Sequence, residues 1–364
     1  NLRFLTFFIN TLAALNTHAD IVRASFASAG NDHRLGGNEA PPAIVSAFIG
    51  SQLSELLDEL ETSIKAGKLT PEDKIALKLE IGRIPEVLLD NTDRNRTSTF
   101  AFTGNKFELR AVGSTANCAV PMTVLNTIVS EQLESFKVAV DQRIDKGEKK
   151  DDALLKELQK LITQSKAIRF EGNGYSDEWV VEAAKRGLSN LKNTPEALEV
   201  FNRPEVIELF EKQQVLRKEE VHARVEVELE NYILKLQIEA RVLLRMARGT
   251  ILPAAIDYQS QLLLNVQSLN DVFGEDAPKY GGAQLELVKQ AGALIQQIHR
   301  ESLELDSIHD ALEKLESASE KAKGYAERMF PSMEALGATC AQLEVTVDDA
   351  LWPLPKFTEL LFTR

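Results

Sequence analysis

The sequence predicts an α+β chain, a mixed region with a β-hairpin followed by a mostly α-helical region. Thr97 to Phe102 and Lys106 to Arg110 alternate apolar and polar residues around Gly104-Asn105, the pattern of antiparallel strands joined by a turn. From about Met122 onward, apolar residues recur almost continuously at helical spacing. Charge changes at the same place. Residues 1–130 hold 12 Lys/Arg and 14 Asp/Glu, a net of −2, whereas residues 131–364 hold 30 and 41, a net of −11. Two domains, 1–130 and 131–364, are therefore expected.

In chain order, the apolar run Leu2, Phe4, Leu5, Phe7, Phe8, Ile9 and Leu12 continues helically to Ile21 and Val22. It could pass for a secretory leader, but Asn10, Thr11, Asn16 and His18 interrupt it. It reads as a buried helix to about residue 28 whose upstream packing partner is absent. A Gly- and Pro-rich loop follows from Asn31 to Pro42, then a short apolar run from Ala43 to Gly50. Ser51 to Ala66 is an amphipathic helix with Leu53, Leu56, Leu57, Leu60 and Ile64 on one face. Thr70-Pro71-Glu72-Asp73 has the form of a helix start.

Beyond the hairpin, helices are expected at about 122–146, 151–168, 177–187, 195–213, 217–248 and from Leu252-Pro253 to about Phe273. A last long helix spans about 282–327. Its residues Leu294, Ile298, Leu305, Ile308, Leu312, Leu315 and Ala322 form a seam suited to a bundle or to contact between subunits.

Composition limits what the chain can be. Its 364 residues are 44% hydrophobic and 27% charged, as in a folded globular protein. A net charge of −13 argues against a nucleic-acid coat or a polybasic membrane binder. No stretch approaches the ~20 apolar residues of a membrane span. Cys118 and Cys340 are far apart in sequence, in no metal-ligand spacing, and are expected to be reduced in a cytoplasmic protein.

Most catalytic templates are missing: there is no dinucleotide fingerprint, Walker motif, zincin helix or nucleophile elbow. His18, His33, His222, His299 and His309 show no metal-ligand spacing. Two clusters remain. In the second strand, Lys106, Glu108 and Arg110 share one face and Phe107 and Leu109 the other, with Arg94-Asn95-Arg96 just upstream. A carboxylate between cations suits a metal–nucleotide site, although the same row also fits a solvated strand face. The Asn31–Pro42 loop carries Arg34 and Glu39 around Gly36-Gly37 and ends in Pro41-Pro42. Glycine permits close approach to a ligand, and the prolines stiffen the loop.

Together these segments resemble glutamine synthetase, in particular its long type III branch. The residues carrying the resemblance are Gly30-Asn31-Asp32-His33-Arg34-Leu35-Gly36, Asn38-Glu39-Ala40-Pro41-Pro42-Ala43-Ile44, Asp93-Arg94-Asn95-Arg96-Thr97-Ser98, Phe100 to Glu108, and Arg110. Asn173-Gly174-Tyr175-Ser176-Asp177-Glu178-Trp179 and Leu252-Pro253-Ala254-Ala255-Ile256 also resemble that branch. The resemblance implies ATP-dependent ligation of ammonia to glutamate through a γ-glutamyl phosphate, with Mg²⁺ or Mn²⁺. Glu39 resembles the flap glutamate that closes the site, binds ammonium and takes its proton. Arg34 resembles the arginine beside that flap that contacts glutamate. Arg96 resembles a phosphate-binding arginine, with Arg94 in a supporting or nucleotide-binding place. Glu108 resembles a metal-ligand glutamate, Lys106 stands where an arginine serves ATP, and Arg110 resembles the arginine at the γ-phosphoryl and substrate end.

The resemblance has departures. Ala101 stands where bacterial type I enzymes have a further arginine, the loop from Arg34 to Glu39 is one residue shorter than theirs, and Gly37 replaces an expected alanine. The family's small N-terminal domain and most of its metal-ligand glutamates would precede Asn1, so the chain is expected to be the C-terminal part of a longer polypeptide and inactive alone. The implied assembly is a homo-oligomer of stacked hexameric rings. Two other readings stay open: ligation of a different amine to glutamate, or a non-catalytic helical relative serving assembly or regulation.

Overall fold

The computed structural model describes residues 2–36, 40–65, 98–113 and 116–361. These fall into two compact units, Asn1–Glu228 and Leu229–Arg364, and the charge step near residue 130 lies inside the first.

The first unit opens with α1 (Leu2–Thr17), α2 (Ala19–Ser25) and the short α3 (Ala29–Asp32). Next come β1 (Ala47–Phe48), α4 (Ser51–Lys65), β2 (Phe100–Phe102) and β3 (Phe107–Leu109). The helices α5 (Ala119–Asp145), α6 (Lys150–Gln164), α7 (Asp177–Lys185), α8 (Thr194–Leu198) and α9 (Pro204–Lys212) follow.

Helix α1 buries Leu5, Phe8, Ile9, Leu12 and Leu15, each such side chain contributing roughly 1.5–3 kcal/mol. They pack against α5 and α6, so partners within this chain cover the face for which the sequence suggested an absent partner. Asn10, an interruption in the apolar run, is fully buried: its amide donates to Thr6 O at 2.8 Å, and its carbonyl accepts from Gln132 on α5 at 3.1 Å. A polar residue there fixes the register of α1 on α5 instead of breaking the core.

The hairpin is present, β2 running antiparallel to β3 with Phe100 opposite Leu109 and Phe102 opposite Phe107. The sheet as a whole is mixed, which corrects the expectation of antiparallel strands alone. Strand β1 pairs parallel with β2, and on its other side Ala47 bridges Arg169 in parallel. That arrangement was hidden because Ala43–Gly50 is buried throughout and so shows no alternation. Helix α1 seals the apolar face of the hairpin, with Phe8 edge-on to Phe102 at 4.9 Å and stacked on Phe107 at 5.3 Å.

The second unit takes in the long α10 (Lys218–Met246) from Leu229 onward, then α11 (Leu252–Phe273), α12 (Ala277–Leu312), α13 (Ala318–Gly324), α14 (Phe330–Thr346) and α15 (Phe357–Leu360). Wider π-helical turns, Ala247–Ile251 and Tyr325–Met329, lead into α11 and α14. Each stands just before a proline, Pro253 or Pro331. A proline ring collides with the carbonyl four residues earlier, here Gly249 or Glu327, and the widened turn relieves the collision without ending the helix.

The helix expected at 282–327 is two helices: α12 ends at Leu312, and Ser317 caps α13 by accepting the Glu320 N–H at 3.4 Å. The segment expected at 195–213 likewise splits, with Arg203 between its parts and Pro204 opening α9. The seam residues Leu294, Ile298, Leu305, Ile308, Leu312 and Ala322 are buried, and α12 packs against α11 and α14. This seam therefore makes the core of its own unit and offers no free surface for another subunit.

Candidate functional site

On β3 and the residues flanking it, the period-two row is formed as the sequence implies. Phe107 and Leu109 pack on the core. On the opposite face, Glu108 lies between Lys106 and Arg110, with Lys106 Nζ at 3.2 Å from Oε1 and Arg110 Nη2 at 3.2 Å from Oε2. Thr103 Oγ1 adds a weak bond to Oε1 at 3.4 Å. Hydrogen bonds from Lys106 and then Arg110 hold the Glu108 carboxyl below its ordinary value, so it is an anion at neutral pH. The row is a carboxylate clasped by two cations on a half-exposed strand.

Backbone bonds fix where this row lies. The Arg110 N–H donates to Thr99 O at 2.7 Å, Phe100 N–H to Ser46 O at 3.0 Å, and Thr99 Oγ1 to Ile44 O at 3.2 Å. The end of the glycine-rich loop therefore runs beside the start of β2 and the exit of β3. At the other end of the loop, the buried Asn31 amide donates to Val112 O at 2.8 Å, two residues beyond Arg110. Arg34 sits exposed in the turn after α3, its N–H bonded to Asn31 O at 3.1 Å. Gly36, at φ +76°, donates its N–H to Pro41 O at 3.2 Å and closes the base of the loop. Glycine alone takes that conformation without strain.

The structure thus joins Lys106, Glu108 and Arg110 in one cluster and ties the turn bearing Arg34 to the same end of the hairpin. Glu39, Arg94 and Arg96 lie outside the described residues, as do the helix start at Thr70 and Gly37.

Sequence reasoning missed the support under the loop. Asp32 accepts from Thr194 N–H at 2.8 Å and Thr194 Oγ1 at 2.7 Å, and lies 3.9 Å from the buried Arg23 guanidinium. Burial pulls Arg23 down to about 10, against the favourable charge of Asp32 and then Glu196. Asp32 and Thr194 are 162 residues apart in sequence, and an Asn-Asp pair at a loop entrance gives no sign of the contact. The second missed support is Glu171, whose carboxylate accepts from Ile49 N–H, Gly50 N–H and Ser54 Oγ at 3.0–3.2 Å, capping α4 and pinning the end of β1.

Asn173–Trp179 does structural work. Ser176 caps α7 by accepting the Trp179 N–H at 3.3 Å, and the Trp179 ring stacks on Phe170. The Arg186 guanidinium lies over both rings.

Among the described residues no group of three or more His, Cys, Asp or Glu could hold a metal ion. Glu108 alone does not fit a divalent cation, which takes about six oxygen ligands. The described residues supply one carboxylate and a set of cations suited to phosphate or carboxylate oxygens. No helix of the described residues is long and apolar enough to cross a membrane.

Fold and site together define an α+β chain in which a strand carrying the Lys106–Glu108–Arg110 row lies beside a glycine-closed loop. Residues 153–270 match the family described as the glutamine synthetase C-terminal domain. The whole chain is 45% identical to a glutamine synthetase of Bacteroides fragilis (strain YCH46), covering 50% of that protein. It is 35% identical to a type-3 glutamine synthetase of Dictyostelium discoideum, covering 49%, and 33% identical to a glutamine synthetase of Butyrivibrio fibrisolvens, covering 50%. The chain is a relative of the glutamine synthetases and spans about half the length of the curated relatives it matches.

Proposed function

We propose that this chain is part of a glutamate–ammonia ligase that makes glutamine from glutamate, ammonium and ATP through a γ-glutamyl phosphate. The observation that carries the proposal is the Lys106–Glu108–Arg110 row, tied through Asn31 to the turn that bears Arg34. Support comes from relatives named glutamine synthetase along the whole chain.

In this reading Arg34 holds a carboxylate of glutamate, and Arg110, Lys106 and Arg96 neutralise phosphate oxygens, with Arg94 beside them. Phosphate oxygens would compete with Glu108 for Lys106 and Arg110, and Glu108 would then be one of the residues that hold a divalent cation. A bound Mg²⁺ or Mn²⁺ would supply further neutralisation of phosphate charge. Glu39 draws ammonium to the loop and takes its proton, leaving ammonia able to displace phosphate. Exclusion of water by the closed loop would protect the acyl phosphate from hydrolysis. The working form is a ring-shaped homo-oligomer in the cytoplasm.

The test is phosphate release and glutamine formation by the complete protein in glutamate, ammonium and ATP. Glutamine formation that needs all three, and is lost in Glu39→Ala, is the expected result. Ammonium-dependent turnover undiminished in Glu39→Ala overturns the role of Glu39, and the absence of glutamine overturns the reaction. Residues 1–364 alone are expected to form none.

A further inference from the structure

Asn173–Trp179 supplies no group to the proposed site, yet its polar residues have defined tasks. Asn173 Oδ1 accepts the Tyr175 N–H at 3.0 Å, and its backbone carbonyl accepts the Ser176 N–H at 3.3 Å. With the cap from Ser176, these bonds start α7 at a fixed place, and its first turn carries Trp179 inward, 2% exposed. The Trp179 ring lies 3.7 Å from Phe170, centroid to centroid. Gly172 leaves room for this, since a Cβ there would stand 2.7 Å from Phe170 Cζ. The Arg186 guanidinium, 5.4 Å from the Trp179 centroid and 5.9 Å from that of Phe170, is held by Arg169 O at 2.7 Å and by the Glu182 carboxylate.

The stack supports the exit of the glycine-rich loop. Trp179, Ala183 and Ile44 form a buried cluster distinct from the main core, with Phe170 packed against it. Among the described residues, Ile44 is the member of that cluster that comes from outside 170–188. It stands directly after Pro41-Pro42-Ala43, and its N–H donates to Pro42 O at 2.7 Å. Proline fixes its own backbone angle, so the place of Ile44 passes along a stiff segment to Pro41 O. That carbonyl accepts the Gly36 N–H at 3.2 Å, two residues from Arg34.

We propose that Trp179 is a positioning residue for the ligation: by holding Ile44 it sets the exit of the loop and, through Pro41 and Gly36, the place of Arg34. The loop contact stands on packing, whereas its effect on glutamate rests on the ligase reading. The phosphate end lies on other support. Phe107 and Leu109, on the strand of Lys106, Glu108 and Arg110, pack against the main core. Loss of the Trp179 ring therefore weakens the hold on glutamate and spares ATP.

The test compares Trp179→Leu and Trp179→Phe in the complete protein. Trp179→Leu is expected to raise the KM for glutamate about 10-fold and to leave that for ATP within about 2-fold. Trp179→Phe keeps a ring in the stack and should stay within about 3-fold for both substrates. Ile44→Val removes one methyl group and carries the same test should Trp179→Leu not fold, with a rise of about 2-fold for glutamate alone. Hydrogen exchange of the Gly36 amide reads the loop without any activity, and should quicken in Trp179→Leu but not in Trp179→Phe. An unchanged glutamate KM, an equal rise for glutamate and ATP, or unchanged Gly36 exchange overturns the proposal. A wild type that makes no glutamine, with Gly36 exchange still quickened by Trp179→Leu, overturns the ligase reading and upholds the loop contact.

Discussion

Replacing Asp32 by alanine is expected to destabilise the first unit far more than a loop-entrance residue ordinarily would. The side chain accepts two short hydrogen bonds from Thr194, at 2.8 and 2.7 Å, and faces a guanidinium that is 1% exposed. Hydrogen bonds to a charged group contribute ~1.5–3 kcal/mol each. Removing one member of a buried pair costs ~3–5 kcal/mol because the other is left uncompensated. The 3.9 Å separation from Arg23 is long, which places the expectation near the lower end, at ~3–4 kcal/mol. For a unit of this size that lowers the thermal midpoint by roughly 6–16 °C. Urea unfolding followed by circular dichroism measures it. Arg23→Met combined with Asp32→Ala should recover at least ~1 kcal/mol relative to Asp32→Ala, since the stranded charge is gone. A loss below ~1 kcal/mol in Asp32→Ala, or strict additivity in the double variant, refutes the reasoning.

Three further outcomes follow from the packing and charges of the chain. Phe102→Ala removes a ring that meets Phe4, Phe8 and Phe107 within 5.9 Å, and should cost ~3–5 kcal/mol in denaturant unfolding. Desolvation opposes ionisation of Glu157, but hydrogen bonds from Arg143 and Lys160 prevail and keep its folded pKa below 4.5. Its stabilisation is thus present above pH 4.5 and lost as pH falls through the depressed folded value, so Glu157→Gln should flatten that part of an acid-unfolding curve. Burial, with Glu301 nearby, raises the Cys340 thiol to about 11, whereas Cys118 is exposed. A thiol reagent at mildly alkaline pH should find one fast cysteine in the native chain and two in denaturant, and two fast ones in the native chain would contradict the buried placement.

The sequence was most legible where one face of an element is wet. Period two placed the hairpin and the opposite faces of Lys106, Glu108, Arg110 and Phe107, because β3 has core on one side and solvent on the other. It was silent about β1, buried on both faces and paired in parallel with residues distant in the chain. The 313–317 break was missed because Leu312, Leu315 and Ala322 keep coiled-coil spacing across it. Ser317-x-x-Glu320 was the available sign. Helix α14 had no counterpart in the sequence reading. At the site, motif and spacing named the side chains, but the supports Asp32, Arg23 and Glu171 act across more than a hundred residues and no local pattern marks them.

The most direct test of the account replaces the charge at the centre of the cationic row. Glu108→Gln keeps the shape of the side chain and removes its negative charge, and in the complete protein glutamine formation should fall by roughly 10²–10³-fold while thermal stability changes little. Glutamine formation within a factor of a few of the unmodified protein, with Glu108→Gln folded and assembled, would contradict the claim that this row serves the reaction.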